Sequence, residues 1–368
     1  MKDKKIKIYI QYPWKTSDSQ YYRSLLDNPP RRIEYLSDNK KIGMITNKTK
    51  FQIQHFLKNS MRNFLRFTGI SLANIKKTEI KEEYDLIHCA HCLSKNDSPW
   101  VADFEAAWQM WVLGKKSKKS YEKIKNTLLK ENCKKIIAWT EDSKKDILKE
   151  FPEIGKKIEV VPYAMPFPDK LKKKRKQNIT LLFIGRYFYG KGGLHTLEVF
   201  DRLTKKYDNV AAAFISSTPR KIIEKYRQNK KIKIFGLMPY EKIKKEVFPK
   251  ADIFIYPGYG DSFGFAFVEA LAFGLPIVTV DGFARKNIIE EGKTGYILNR
   301  PKEFSIESIG ENEKKIIDQM VNKTSLLIEN KKLRQKMSKE GIKTVKNGKF
   351  SIKERNKRLE RIYSEAVK

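Results

Sequence analysis

Cysteine is scarce, with three residues (Cys89, Cys92 and Cys133) in a chain of 368. The number is odd and the spacing unpatterned, which argues against a disulfide-stapled secreted scaffold and for a reducing, cytoplasmic setting. No run approaches the roughly eighteen consecutive apolar residues of a bilayer-spanning helix. The opening residues pass from charges (Lys2, Asp3, Lys4, Lys5) directly into a strand pattern, with no apolar leader. Acids are few beside bases: 43 Asp and Glu against 77 Lys and Arg, a formal charge of +34. The excess is spread along the chain, because residues 1–168 carry 33 bases to 20 acids and the remainder 44 to 23. It is therefore no detachable basic tail. Nucleic acid, an anionic membrane face, or an anionic small molecule on a lysine-rich background all remain open as partners.

What is present is a globular composition, 40% hydrophobic and 12% aromatic, with length for two or three domains. Strand patterns at Ile6–Tyr12, Tyr84–His88, Lys134–Trp139 and Ile158–Val161 are separated by helical lengths such as Ser19–Leu26 and Glu141–Phe151. This rhythm predicts a parallel sheet. Pro166 to Lys176, two prolines followed by a basic run, reads as a linker. The rhythm then restarts. Strands are expected at Thr180–Ile184, Val210–Ser216, Lys231–Phe235, Asp252–Tyr256 and Pro276–Val280, with helices at Leu194–Lys205, Pro219–Gln228, Tyr240–Val247 and Ser262–Phe273. Gly274 followed by Pro276 supplies a helix stop. Helices resume near Asn312. Ser351 and Glu354 have capping-box spacing for a last helix, whose Leu359, Ile362, Tyr363 and Ala366 share one face.

The chemistry concentrates in two glycine-rich turns. Tyr256-Pro-Gly-Tyr-Gly-Asp261-Ser-Phe-Gly-Phe-Ala-Phe-Val-Glu269 joins a buried strand to a helix through a loop that admits close backbone approach. A helix starting near Ser262 would turn its free N–H groups toward that loop. Asp261 stands at its mouth, and Glu269 two turns inside among apolar neighbours, where packing alone would not select an acid. Gly185-Arg186-Tyr-Phe-Tyr-Gly190-Lys191-Gly192-Gly193 places two cations five apart on a turn that suits a diphosphate. Read as a P-loop, this turn lacks the Ser or Thr after lysine that would hold Mg²⁺, having Gly192 instead.

The segment Asp261 to Pro276 resembles the signature of glycosyltransferase family 4, in which two acids stand eight residues apart. The resemblance implies an α/β, GT-B architecture: two Rossmann-like, doubly wound parallel-sheet domains with a cleft between them. The expected division is an acceptor-side domain at 1–168, a nucleotide-sugar donor domain at 169–348, and a helix at 349–368 returning to the first domain. It implies a retaining, metal-independent hexosyltransferase using a UDP- or GDP-sugar, with no further cofactor, and a glycan, lipid-linked or other hydroxyl acceptor. Asp261, where the family usually has Glu, would face the transferred sugar. Glu269 would accept hydrogen bonds from the donor ribose, and the backbone around Ser262, Phe263, Gly264 and Phe265 would meet sugar or phosphate. Arg186 and Lys191, beside Gly185, look like the family's phosphate-binding pair. Gly236 and Leu237 resemble its base-stacking loop. The absence of any Asp-x-Asp pair agrees with transfer that needs no metal.

The first half matches the family less well. After its first strand it offers Lys15, Ser17, Asp18 and Arg23 in place of paired glycines. His88 resembles the family histidine that ends a strand near the cleft, and Asp103 stands where a donor-contacting histidine is common, so both join the expected catalytic set. His88, Cys89, His91 and Cys92 also suggest zinc, but neighbours on a strand face opposite ways and cannot close one tetrahedron. From Asn47 to Ile70, Phe56, Leu57, Met61, Phe64 and Leu65 share a helical face opposite Lys58, Arg62 and Arg66. That is a core-packed helix with a basic outer face, or one docked peripherally on an anionic cytoplasmic membrane surface. A basic nucleic-acid-binding protein and a GT-B nucleotide-sugar epimerase are the alternatives. Nucleic acid is not expected, because the aromatics sit within apolar runs rather than beside basic partners.

Overall fold

The structure, a computed structural model, describes residues 5–12, 19–37, 60, 63, 67–68, 70–112, 116–168 and 178–368. Most of the basic segment from Asn47 to Ile70, the residues Lys15, Ser17 and Asp18, and most of the basic linker lie outside these residues. The chain divides into two compact units. One holds the N-terminal portion to Pro166 together with Lys349–Lys368, and the other holds Phe167–Gly348.

The first unit is built on a six-stranded sheet of β1 (Ile6–Gln11), β2 (Ile33–Leu36), β3 (Leu86–Ala90), β4 (Trp100–Phe104), β5 (Cys133–Ala138) and β6 (Ile158–Val160). They lie in the order β2-β1-β3-β4-β5-β6, and every pairing is parallel. Helices α1 (Gln20–Asp27), α2 (Lys118–Leu129) and α3 (Glu141–Glu150) make connections between strands. The second unit repeats the plan with β7 (Ile179–Gly185), β8 (Val210–Ser216), β9 (Ile232–Phe235), β10 (Ile253–Tyr256), β11 (Ile277–Val280) and β12 (Gly295–Leu298). Their order is β9-β8-β7-β10-β11-β12, again wholly parallel. Both β10 and β11 are buried at every residue, as expected of parallel strands covered on both faces and therefore apolar without alternation. Helices α4 (Gly193–Lys206), α5 (Arg220–Tyr226), α6 (Phe265–Ala272), α7 (Glu311–Glu329) and α8 (Lys331–Lys346) complete this unit.

The second sheet reverses direction between β7 and β10. In an open doubly wound sheet, ligands settle at that switch point, outside the carboxyl ends of the strands. In the first sheet the order reverses between β1 and β3, and β3 runs directly into His91, which holds a left-handed φ of 52°. Strands β2, β4 and β12 are additions to the sequence reading. Asp103 lies inside β4, whose five residues are all buried.

The last helix, α9 (Ile352–Ala366), belongs to the first unit. Ser351 caps it, its hydroxyl accepting the Glu354 N–H at 3.3 Å. Leu359, Ile362, Tyr363 and Ala366 are all buried, as their spacing predicts. Polar contacts fix its position: the Tyr363 hydroxyl lies 2.7 Å from His88 Nδ1 and 3.1 Å from the Tyr35 hydroxyl. The buried Arg355 donates to Ser24 Oγ at 2.7 Å and to the Asn28 carbonyl at 2.6 Å. Removing a buried, hydrogen-bonded cation strands its acceptors. Arg355→Ala is therefore expected to destabilise this unit by about 2–4 kcal/mol, read as a lowered midpoint in urea unfolding.

Candidate functional site

Two loops leave the switch point of the second sheet side by side. Register pairs Ile253 with Leu181 and Phe254 with Leu182, so the turns after Gly185 and after Tyr256 emerge as neighbours. Glycine lets them touch backbone to backbone. A Cβ at Gly258 would lie 2.7 Å from three backbone atoms of Lys191, and one at Gly192, whose φ is 77°, would lie 2.5 Å from the Pro257 ring. Displacing catalytic groups by about 1 Å can cost on the order of 10²-fold in rate. Gly258→Ala is accordingly expected to lower turnover at least about tenfold while the chain stays folded, checked by transfer assay beside a melting curve.

This approach brings Lys191 onto Asp261, whose carboxylate accepts from the lysine ammonium. Two further groups share that carboxylate. The Tyr256 hydroxyl donates at 2.5 Å, and Arg285 NH2 lies 3.7 Å away. Arg285 is fully buried. Its guanidinium donates to the Asp261 carbonyl at 3.1 Å and to the Gly258 carbonyl, and rests 4.5 Å from the centre of the Phe267 ring. Burial pulls it down to about 10, opposed by Tyr256 and Asp281, so it remains a cation at neutral pH. Burial also pushes the Tyr256 hydroxyl up, with Arg285 opposing, which keeps that hydroxyl a donor. Two cations around one carboxylate leave the cluster net positive and able to take an anion.

Helix α6 begins at Phe265, three residues later than the sequence suggests. Gly264 is its cap, with φ at 89°, and a Cβ there would lie 2.7 Å from the Phe267 ring. Asp261 therefore sits in the loop rather than at the helix mouth, because Lys191 and Arg285 hold it there. Ser262 is half-buried, whereas the Phe263 side chain is buried and packs on Phe265 at 5.5 Å.

Glu269 is 7% exposed on α6. Burial raises its carboxyl to about 7, partly opposed by a hydrogen bond from Tyr240 and by the charge of Lys244. Tyr240 begins the short helix Tyr240–Lys242 that follows Gly236 and Leu237. Glu269 thus touches the segment expected to hold a base. Gly236 is exposed, and open on the side where a Cβ would sit, at the carboxyl end of β9. That strand lies two places from β7, or about 10 Å at ordinary strand spacing. Arg186 is half-buried directly after Gly185, and its carbonyl accepts from Ser217 Oγ at 2.6 Å. The sequence reading missed Tyr240, Lys244, Tyr256 and Arg285. The polar signal of Arg285 was present, but as one more base in a basic chain.

His88 and Asp103 fall elsewhere, in the first unit, and both are fully buried. Asp103 accepts from the Tyr22 hydroxyl at 2.5 Å, the His91 N–H at 3.2 Å and Trp139 Nε1 at 3.2 Å, with His88 Nε2 at 3.6 Å. Burial alone would raise its carboxyl. The neighbouring His88 ring, the charges of His91 and His88, and the bond from Tyr22 outweigh it and hold the group below its ordinary value. With every oxygen enclosed, Asp103 offers nothing to a sugar, so the expectation that it replaces a donor-contacting histidine is corrected. It organises the interior behind the switch point. His88 likewise anchors α9 through Tyr363 and presents no atom to solvent.

Among the described residues, no helix is long and apolar enough to cross a membrane. Residues 167–344 match the family model described as glycosyl transferases group 1. Among curated proteins, the phosphatidylinositol N-acetylglucosaminyltransferase gpi3 subunit of Schizosaccharomyces pombe is 24% identical over 34% of this chain and 29% of its own length. The chain thus spans under a third of that relative. Among solved structures, a glycosyltransferase from Rickettsia africae superposes with a TM-score of 0.62 at 15% identity, covering 100% of this chain and 99% of that one. Anabaena HepE in complex with UDP-glucose gives 0.60 at 14% identity, covering 98% and 99%. The chain therefore has the GT-B fold of these glycosyltransferases, and its residues 167–344 carry the glycosyl transferases group 1 match.

Proposed function

We propose that the protein is a retaining glycosyltransferase that moves a sugar from a UDP- or GDP-sugar to a hydroxyl of a glycan or lipid-linked acceptor, without a metal. The observation that carries this reading is the convergence of Lys191, Asp261 and Arg285 at the switch point, with Glu269 behind them on α6. In this reading Lys191 and Arg186 hold the diphosphate and neutralise the charge that grows on it as the glycosidic bond breaks. Glu269 takes the ribose hydroxyls, and Gly236 and Leu237 lie against the base. Asp261 accepts from hydroxyls of the transferred sugar. The departing phosphate receives the acceptor proton on the face it leaves, which accounts for retention. The first unit is assigned to the acceptor. The family match, and a solved relative of the same fold bound to UDP-glucose, support a nucleotide-sugar donor.

The test is mass-spectrometric detection of transfer from a panel of UDP- and GDP-sugars to glycan and lipid-linked acceptors. Transfer with the anomeric configuration kept, unchanged by EDTA, is the expected result. A sugar nucleotide converted to its epimer with no acceptor consumed would instead mark an epimerase.

A further inference from the structure

Three groups share the Asp261 carboxylate, and they are held very differently. Arg285 is locked: it is buried, bonded to the Asp261 and Gly258 carbonyls, and packed on Phe267. Tyr256 ends a fully buried strand. Lys191, by contrast, has a side chain 22% exposed and reaches Asp261 from a glycine-bounded turn. A lysine is a point charge on a flexible stem, whereas an arginine fork is fixed by several bonds at once.

We infer that Lys191 is an exchangeable counter-ion and Arg285 the permanent one. When a diphosphate arrives, the Lys191 ammonium leaves Asp261 for the phosphate oxygens. Arg285 and Tyr256 then keep the carboxylate charged and in place. Asp261 is freed toward the sugar hydroxyls only once the phosphate is seated, so recognition of the two ends of the donor is linked. Were Lys191 the sole cation, its departure would strand a part-buried carboxylate without compensation. Arg285 makes the exchange tolerable, and acts as a positioning residue because it works through Asp261 and the loop. Asp261 in turn competes with the donor for Lys191, which lowers the apparent affinity for a diphosphate, as any occupied resting state does. The inference rests on the donor reading above.

Calorimetric titration of UDP and of GDP into the full chain, beside steady-state transfer, tests both. If the wild-type protein binds neither nucleotide, the donor reading fails, and the inference with it, before any variant is made. Given wild-type binding, Asp261→Asn is expected to bind the nucleoside diphosphate about three- to tenfold more tightly, the effect of removing a part-exposed ion pair. The same variant should transfer sugar at least about 10²-fold more slowly. Arg285→Lys is expected to keep its nucleoside diphosphate affinity within about twofold while kcat falls about tenfold, with KM for the donor little changed, because the lost interaction acts beyond the phosphate. Equal or weaker binding by Asp261→Asn would overturn the exchange. Loss of affinity and turnover in proportion in Arg285→Lys would reduce Arg285 to a structural residue. Should that variant fail to fold in a melting assay, Asp261→Asn decides alone, since asparagine keeps the side chain's size and an oxygen that still accepts from Tyr256 and Arg285.

Discussion

Lys191→Ala is expected to lower kcat/KM for sugar transfer by about 10²–10³-fold, the loss typical when one fixed donor to a developing anion is removed. The variant should still fold. Lys191 sits on a turn with an accessible side chain, and its partner Asp261 retains Arg285 and Tyr256. Most of the loss should appear in kcat, because charge builds on the leaving diphosphate mainly as the bond breaks. Lys191→Arg should recover little, since a planar guanidinium fork replaces the compact ammonium that meets Asp261. Initial rates with radiolabelled donor decide the matter, and a Lys191→Ala rate within threefold of wild type would remove Lys191 from the mechanism.

The second large effect concerns Glu269. In the proposed reading, two charge-assisted hydrogen bonds from ribose hydroxyls are lost in Glu269→Ala, weakening nucleotide affinity by about 10²-fold. The wild-type group also carries a pH signature. Burial, against Tyr240 and Lys244, puts its carboxyl at about 7 in the free protein, above its ordinary 4.5. The ionised form accepts from both hydroxyls more strongly than the protonated acid does, so nucleotide affinity should rise as pH climbs through about 7. In Glu269→Gln the same titration should be weak and flat. Stability runs the opposite way. Between 4.5 and 7 the folded chain holds this proton more firmly than the unfolded chain, so folding stability falls as pH rises across that window, by at most about 3 kcal/mol. Glu269→Gln escapes that loss, and should melt higher than wild type at pH 8 while binding nucleotide worse. A variant at once more stable and less active is the mark of a group kept for binding. Parallel melting curves at pH 5 and pH 8 reveal it.

Much of the second unit could be read from residue order because its signals are local and agree. Apolar runs such as Ile253–Tyr256 are buried on both faces, glycines punctuate the strand ends, and Gly274 takes the left-handed turn expected of it, at φ 66°. The start of α6 could not be read this way. Asp261 and Ser262 are good caps on local grounds, but tertiary contacts with Lys191 and Arg285 hold Asp261 in the loop and pass the cap to Gly264. Arg285 was hidden for a related reason. Its meaning lies in the carbonyls of Gly258 and Asp261, more than twenty residues earlier in the chain, and no periodicity marks such a pairing. Asp103 misled because its place in the sequence matches that of a common donor-contacting histidine, while the hydroxyl, indole and amide groups that enclose it come from other elements.

Because α9 completes the first unit, that unit is assembled from two segments separated in sequence by the whole of the second. On the ribosome, the pocket around His88, Tyr35 and Ser24 stays unfilled through the synthesis of some 180 intervening residues. Domains generally fold as units, N-terminal first as the chain emerges. Here the order should invert, with Phe167–Gly348 closing while its predecessor still waits for the last helix. A nascent chain arrested before Lys349 would expose the otherwise buried Tyr21 and Tyr22 to chaperones or proteases until α9 is made.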